Sequence, residues 1–246
     1  MRFSASKPAS SHEAVACGKN IRVSSIYDPS ADSITRTREL FPEIAIHESY
    51  NSLLAEPGID WVMIGSWNSQ HAEQAIQALE AGKHVFCEKP LATSLDDCLR
   101  VQTVLEAHPE LHFFFGLVLR YSPHFQRIKQ ILDSGEIGKV ISFEFNETLP
   151  PHHGGYIHGN WHRHRAHAGT HMLEKCCHDL EYRSGVRATF HTNCHAVVPE
   201  RCFYICCSEG ALRADALAAL WRCGCWEVKH ARKTHARADH MPVATR

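Results

Sequence analysis

The sequence lacks any apolar stretch long enough to span a bilayer, and it has almost no net charge. Its longest apolar run, near Leu111 to Leu119, is far shorter than the about 20 residues that a membrane helix needs. A net charge of −1, from 26 Lys and Arg against 27 Asp and Glu, provides no field that would attract nucleic acid or an anionic membrane. Met1 to Ser11 has no apolar core of a signal peptide. We therefore expect a soluble, cytoplasmic protein with neither nucleic acid nor membrane as a partner.

Cysteine and histidine, in contrast, are abundant, with 11 and 20 among 246 residues. Thiols of a chain without a secretory signal are expected to stay reduced. One hypothesis is a metal-binding or redox module, because Cys202-x₃-Cys206 has a spacing that zinc sites use, whereas Cys223-x-Cys225 is too tight. Its further candidate ligands are Cys207, His230 and His235. The signal is weak, and we predict no metal site.

The stretch His84-Val85-Phe86-Cys87-Glu88-Lys89-Pro90 is the most informative part of the chain. Before it, residues 71–81 carry apolar side chains at helical spacing and are followed by Gly82, a common residue at helix ends. A helix, a glycine, a short strand and a polar residue at the strand's end are typical of α/β proteins, which place their chemistry at the carboxyl edge of a parallel sheet. Lys89, held out of the α region by Pro90, is therefore predicted to lie at that edge.

A second strand candidate, Ile21 to Ile26, ends at Tyr27-Asp28-Pro29. An acidic residue after the second strand of a dinucleotide fold binds the adenosine ribose hydroxyls. Asp28 is thus a cofactor candidate, although an Asp that only begins a turn before Pro29 explains the sequence about as well. The Asp28 carboxylate would repel a 2′-phosphate and so favours NAD, with NADP left open.

Further helices and strands are predicted from patterning. Thr93 or Ser94 caps a helix over residues 95–107, and Pro123 begins a helix that runs to about Leu132. The remaining predictions are a helix over Ala31–Leu40, a buried strand within Leu111–Leu119 and a strand over Val140–Phe145.

Several segments, in the same order along the chain, resemble the Gfo/Idh/MocA family of NAD(P)-dependent oxidoreductases of sugars, inositols and related polyols. The Glu88-Lys89-Pro90 triplet is similar to the signature of that family. The other similar segments are Asp60 to His71, Gly116 to Pro123, Gly135 to Val140 and Glu174 to Asp179. Together they cover roughly residues 21 to 181, and the combination is more specific than any one of them.

The resemblance implies an α/β fold with two domains. We expect an incomplete Rossmann-like dinucleotide-binding domain over residues 1–118, followed over residues 119–215 by a truncated α+β substrate domain with a mostly antiparallel sheet. Residues 216–246 stay unassigned. A homo-oligomer is also compatible with the resemblance.

The resemblance also implies the roles of particular residues in hydride transfer between nicotinamide and a sugar or polyol. Lys89, with His178 and Glu174, would be catalytic, and Lys89 would also position the cofactor. The cofactor site would further include Asp28, Ser66, Asn68, His71 and Glu88, and the substrate site Arg120, Tyr121 and Trp161, where Trp161 belongs to a His-rich loop at 150–168.

The proposed general base rests on spacing as well. Glu174 and His178 are four residues apart in a predicted helix, so they share one face and can touch. An imidazole with an unperturbed pKa of about 6.5 suits proton transfer near neutrality, and a carboxylate beside it would orient the ring. A structural histidine is the alternative for His178.

The chain also departs from the family. Residues 1–20 contain one glycine, Gly18, and no Gly-x-Gly-x-x-Gly turn to hold a pyrophosphate, and we expect the first strand to be missing as well. At Leu180–Glu181 the resemblance jumps, so part of the second domain is predicted to be absent. An inactive family fragment with weak or no cofactor binding is therefore the main alternative function.

Overall fold

The computed structural model describes residues 2–5, 21–149, 160–170, 173, 186–193, 196–215 and 226–230. These residues form two compact units, one from the described parts of 1–121 and 155–181, the other from those of 122–154 and 182–246. No helix among the described residues is long and apolar enough to cross a membrane.

The first unit contains a six-stranded parallel sheet. Its strands are β1 (Arg2–Ala5), β2 (Arg22–Ile26), β3 (Ala45–Ile46), β4 (Trp61–Ile64), β5 (His84–Glu88) and β6 (Phe113–Gly116). They lie in the order β3-β2-β1-β4-β5-β6, and every pair is parallel. This is the strand order of the dinucleotide-binding Rossmann fold, which confirms the predicted class.

The central strand β1 corrects one prediction, because the first strand was expected to be missing. Arg2–Ala5 pairs with β2 on one side and with β4 on the other, with an irregular register at Phe3 and Ser4. A strand of four residues with two apolar side chains gives no apolar run in the sequence. The position of β1 is determined by backbone hydrogen bonds to β2 and β4. Because this is a tertiary effect, the local sequence pattern does not reveal it.

The helices predicted at residues 31–40, 71–81 and 95–107 are present in this unit. Within residues 21–121 its helices are α1 (Ala31–Leu40), α2 (Tyr50–Leu54), α3 (His71–Glu80) and α4 (Leu95–Ala107). Ser94 is the residue that caps α4, since its Oγ accepts a hydrogen bond from the Asp97 backbone N–H. Strand β6 is shorter than the predicted 111–119 segment. Leu53, Val62, Leu79 and Val85 are buried in one apolar core that stabilises the parallel sheet against the helices.

The second unit contains helix α5 (Pro123–Ser134) and a five-stranded sheet. The strands are β7 (Val140–Thr148), β8 (Arg187–Asn193), β9 (Glu200–Cys207), β10 (Gly210–Asp215) and β11 (Trp226–His230). They lie in the order β11-β10-β9-β7-β8, and only β7 and β8 pair in parallel, so the predicted mostly antiparallel sheet is confirmed. Phe145 and Phe203 stack in its core with ring centroids 4.4 Å apart.

Candidate nucleotide-binding site

A cavity of about 990 Å³ lies in the first unit, at the carboxyl ends of β2 and β4. Its lining includes Tyr27 and Asp28 after β2 and the segment from Gly65 to Trp67 after β4. In open α/β sheets, ligands bind outside the carboxyl ends of the strands. The cavity also falls within the about 300–1,000 Å³ range of small-molecule sites.

Asp28 lies at one side of this cavity. Its Oδ1 accepts a hydrogen bond of 2.8 Å from the Ser30 backbone N–H, which fixes the carboxylate at the start of α1. Ser33 and Arg36 of α1 line the cavity beside it. The turn role and the predicted ribose role of Asp28 are compatible, since the turn uses one oxygen of a group that offers about four acceptor positions.

Ser66 lines the cavity at the end of β4. Its hydroxyl donates a hydrogen bond of 2.6 Å to Gln74 Oε1. The Gln74 backbone carbonyl in turn accepts a bond of 2.8 Å from the Tyr50 hydroxyl. Burial raises the pKa of Tyr50, and a smaller contribution from Cys87 acts in the same direction. Tyr50 therefore remains a neutral donor that holds the start of α3.

Asn68 is buried, with 5% of its surface exposed. Its Nδ2 donates a hydrogen bond of 2.8 Å to the backbone carbonyl of Ala168. Ala168 ends the short helix α6 (Arg165–Ala168), which follows a 3₁₀ turn at Asn160–Arg163. Asn68 thus attaches the predicted substrate loop to the end of β4.

His71 is also buried, with 1% exposed. Its Nδ1 lies 2.7 Å from the Pro90 carbonyl oxygen and its Nε2 lies 3.1 Å from the Ser66 carbonyl oxygen. The ring therefore joins the segment after β4 to the segment after β5, the one that carries Lys89. Sequence reasoning could not find this connection, because a backbone carbonyl leaves no signal in the sequence.

Glu88 and Lys89 lie at the carboxyl end of β5. The Lys89 backbone N–H donates to Glu88 Oε2 at 3.3 Å, and the Lys89–Pro90 peptide is cis. Gly116 pairs with Glu88 across β5 and β6. A Cβ at Gly116 would lie 3.0 Å from Cys87 O and 3.1 Å from Glu88 Cα, so only glycine fits at this close approach without displacement.

Two of the predicted cofactor residues, Asp28 and Ser66, line the cavity itself. The other predicted cofactor residues that are described, namely Asn68, His71, Glu88 and Lys89, lie at the ends of the neighbouring elements and do not line it. Among the predicted substrate residues, Trp161 lines the cavity, whereas Arg120 and Tyr121 lie in a 3₁₀ turn at Val118–Tyr121. Tyr121 is 61% exposed and its ring lies 5.3 Å from that of Phe114. Glu174 and His178 lie outside the described residues.

Trp67 is one of the cavity residues that sequence reasoning missed. Trp67 lines the cavity next to Ser66, stacks on Trp161 with ring centroids 6.1 Å apart, and lies 4.5 Å from the ring of His167. The sequence did contain a signal for Trp67: it is the neighbour of Ser66, which was already predicted to belong to the cofactor site.

Among the described residues, no group of three or more His, Cys, Asp or Glu side chains is placed to hold a metal ion. Cys223, Cys225 and His235 of the metal-binding hypothesis lie outside the described residues.

The chain is similar to known oxidoreductases. Residues 6–115 match the family model described as "Oxidoreductase family, NAD-binding Rossmann fold", GFO_IDH_MocA. Over this region the chain is similar to the Gfo/Idh/MocA oxidoreductases, the family that its sequence motifs resemble.

Two curated relatives are inositol dehydrogenases. The inositol 2-dehydrogenase of Gluconacetobacter diazotrophicus is 39% identical over 121 residues, which are 49% of this chain and 36% of the relative. Inositol 2-dehydrogenase 3 of Saccharopolyspora erythraea is 40% identical over 101 residues, which are 40% and 30% of the two chains. The chain thus spans about a third of the length of these relatives.

Solved structures show the same fold at low identity. The WlbA dehydrogenase from Bordetella pertussis, in complex with NADH and UDP-GlcNAcA, matches with a TM-score of 0.81 at 18% identity, over 96% of this chain and 78% of that one. KijD10, a 3-ketoreductase from Actinomadura kijaniata in complex with NADP and TDP-benzene, matches with a TM-score of 0.74 at 20% identity, over 94% and 82%.

Proposed function

We propose that this chain is an NAD(P)-dependent oxidoreductase that transfers a hydride between the nicotinamide and a sugar, inositol or related polyol. The cavity at the carboxyl ends of β2 and β4 carries the proposal, because it lies within the region that matches an NAD-binding family and has Asp28 at its side. The names of the relatives support a polyol or sugar substrate.

The residues around the cavity suit a dinucleotide. Asp28 offers carboxylate oxygens to ribose hydroxyls, and Val62, Leu53 and Tyr50 supply apolar wall for an aromatic base. When bound, the nicotinamide supplies the hydride acceptor or donor. The carboxylate of Asp28 favours NAD over NADP. Arg36 of α1 also lines the cavity, and an arginine there is able to contact a 2′-phosphate, so NADP stays a second candidate cofactor.

The chain's own residues would then handle the proton. Lys89 would donate a hydrogen bond to the reacting oxygen and stabilise the negative charge that develops there. His178 would accept the proton of the substrate hydroxyl, and Glu174 would orient its ring. Because hydride and proton leave the same carbinol group, these side chains need to converge on one substrate carbon.

The competing hypothesis is a family fold that binds the dinucleotide weakly or not at all. The observation that favours it is the single glycine among residues 1–20, where a pyrophosphate-binding turn is expected. The two hypotheses differ in nucleotide binding before they differ in catalysis.

A spectrophotometric assay of nicotinamide reduction with cyclitols, aldoses and nucleotide sugars tests the proposal. We expect turnover with at least one of these classes, and Lys89→Met to lower kcat by about 10²-fold or more. Lys129→Met is the matched control, because Lys129 lies on the exposed surface of α5 in an ion pair with Asp133. No turnover with any class would contradict the proposed activity, and weak or absent NAD binding as well would favour the competing hypothesis.

A further inference from the structure

Trp67 is an exposed aromatic side chain in the wall of the cavity. It is 39% exposed although Trp161 and His167 pack against it, so part of its indole surface faces open space. A large aromatic side chain left uncovered in a concave site suits a flat or cationic ligand group.

The position of Trp67 after β4 determines which part of a bound dinucleotide it would contact. Trp67 follows β4, whereas Asp28 follows β2, and β1 lies between these strands. Strands β2 and β4 are therefore two strand spacings, or about 10 Å, apart. If Asp28 binds the adenosine ribose, Trp67 lies on the nicotinamide side of the cavity.

We propose that Trp67, supported by Trp161, forms an aromatic wall for the nicotinamide ring and binds its oxidised, cationic form more tightly than its reduced form. This inference rests on the proposed function and adds a residue that selects the redox state of the cofactor. An indole face carries negative electrostatic potential, so it attracts the pyridinium charge of NAD⁺, which NADH lacks.

Another role for Trp67 is to anchor the 160–168 segment through its contacts with Trp161 and His167. The Asn68–Ala168 hydrogen bond already attaches that segment at the neighbouring position. An anchoring role alone would affect NAD⁺ and NADH to the same extent. A difference between the two redox forms therefore separates the two roles.

The test is calorimetric titration of the full chain with NAD⁺, NADH and ADP-ribose. Trp67→Leu should weaken NAD⁺ binding by about 3- to 30-fold, weaken NADH binding less, and leave ADP-ribose within twofold. Trp67→Phe, which keeps an aromatic face, should fall between wild type and Trp67→Leu. Trp61→Leu is the matched control at the opposite end of β4, and it should change none of the three affinities.

Equal losses for NAD⁺ and NADH in both Trp67 variants, or an equal loss for ADP-ribose, would overturn the inference while leaving nucleotide binding intact. Absence of binding by the wild-type chain would instead overturn the proposed function, and the inference with it. Thermal unfolding of each variant shows whether it is folded. If Trp67→Leu does not fold, the NAD⁺ and NADH affinities of Trp67→Phe are the test of the inference.

Discussion

The imidazole of His71 lies within hydrogen-bond distance of the backbone carbonyl of Pro90, 19 residues further along the chain, with Nδ1 2.7 Å from the oxygen. The other ring nitrogen lies 3.1 Å from the Ser66 carbonyl oxygen. One buried side chain thus connects the ends of β4 and β5, the two segments that carry Ser66 and Lys89. Asn68 and His71, both after β4, thus hold segments that lie next to the cavity.

Removing this connection should be costly. His71→Ala leaves the Pro90 and Ser66 carbonyl oxygens without that partner and a cavity in the core, so we expect the free energy of unfolding to fall by about 2–4 kcal/mol. Urea denaturation measures it. His191→Ala, at an exposed position of β8, is the control and should change the stability by less than about 0.5 kcal/mol. A loss no larger than that of the control would contradict the role of His71 in connecting the segments after β4 and β5.

Asn68 should control the 160–168 segment. Asn68→Ala removes the bond to Ala168, and we expect trypsin to cleave after Arg163 and Arg165 several-fold faster because local opening becomes less costly. Mass spectrometry of timed digests reports the sites. Asn51→Ala, at an exposed position of α2, should leave the cleavage rates unchanged. Unchanged cleavage in Asn68→Ala would show that other contacts hold the segment.

Gly116→Ala tests the close approach between β5 and β6. The new Cβ would lie 3.0 Å from Cys87 O and 3.3 Å from Glu88 Oε2, so the end of β5 must shift, at a cost of about 1–3 kcal/mol. Gly82→Ala is a useful contrast, because a Cβ there meets no atom within 4 Å and the cost comes only from a φ of 71°. Gly116→Ala should therefore weaken NADH binding, whereas Gly82→Ala should lower stability without affecting the site. Equal effects on binding would argue against a role for the Glu88 position.

Stability should fall at alkaline pH through the Cys87 thiol. Burial raises the pKa of Cys87, and the nearby charge of Glu88 raises it further. In the unfolded chain this thiol ionises near pH 8.5, but in the folded chain it keeps its proton. The contribution of Cys87 to the free energy of unfolding is therefore complete below about pH 8.5. It decreases as the pH rises above that value, by up to about 1.4 kcal/mol per pH unit.

Urea denaturation between pH 8 and pH 10 measures this effect. Cys87→Ala should flatten the decrease in the free energy of unfolding relative to wild type. Cys98→Ala should flatten it less, because the Cys98 thiol is only half-buried and loses less hydration. Parallel pH profiles for wild type and Cys87→Ala would show that other groups cause the decrease.

Much of the first unit could be predicted from the sequence, because its signals are local. Ala31–Leu40 and residues 95–107 are bounded by capping residues and apolar spacing, and the structure has helices at those positions. The strand that ends at Glu88 was equally visible from its apolar core and the proline beyond Lys89. Strand β1 could not be found this way, since pairing on both sides determines its place.

The site was predictable only in part for the same physical reason. Asp28, Ser66 and Trp161 were identified from motifs, and they line the cavity. The partners of Asn68 and His71 are main-chain carbonyls of Ala168 and Pro90, which any residue would supply. Such contacts depend on the tertiary structure, so the sequence indicated that both side chains matter without revealing what they bind.

The most direct test of the dinucleotide site is titration of NADH into the full chain, comparing Asp28→Asn with Asp32→Asn. Asparagine keeps an oxygen for the Ser30 N–H but loses the charge and one acceptor, whereas Asp32 lies exposed in the first turn of α1. With a dinucleotide site beside Asp28, we expect saturable binding by wild type and Asp32→Asn, and an affinity about tenfold lower for Asp28→Asn. Equal affinities for the two variants, or no saturable binding by the wild-type chain, would contradict a dinucleotide site at this edge of the sheet.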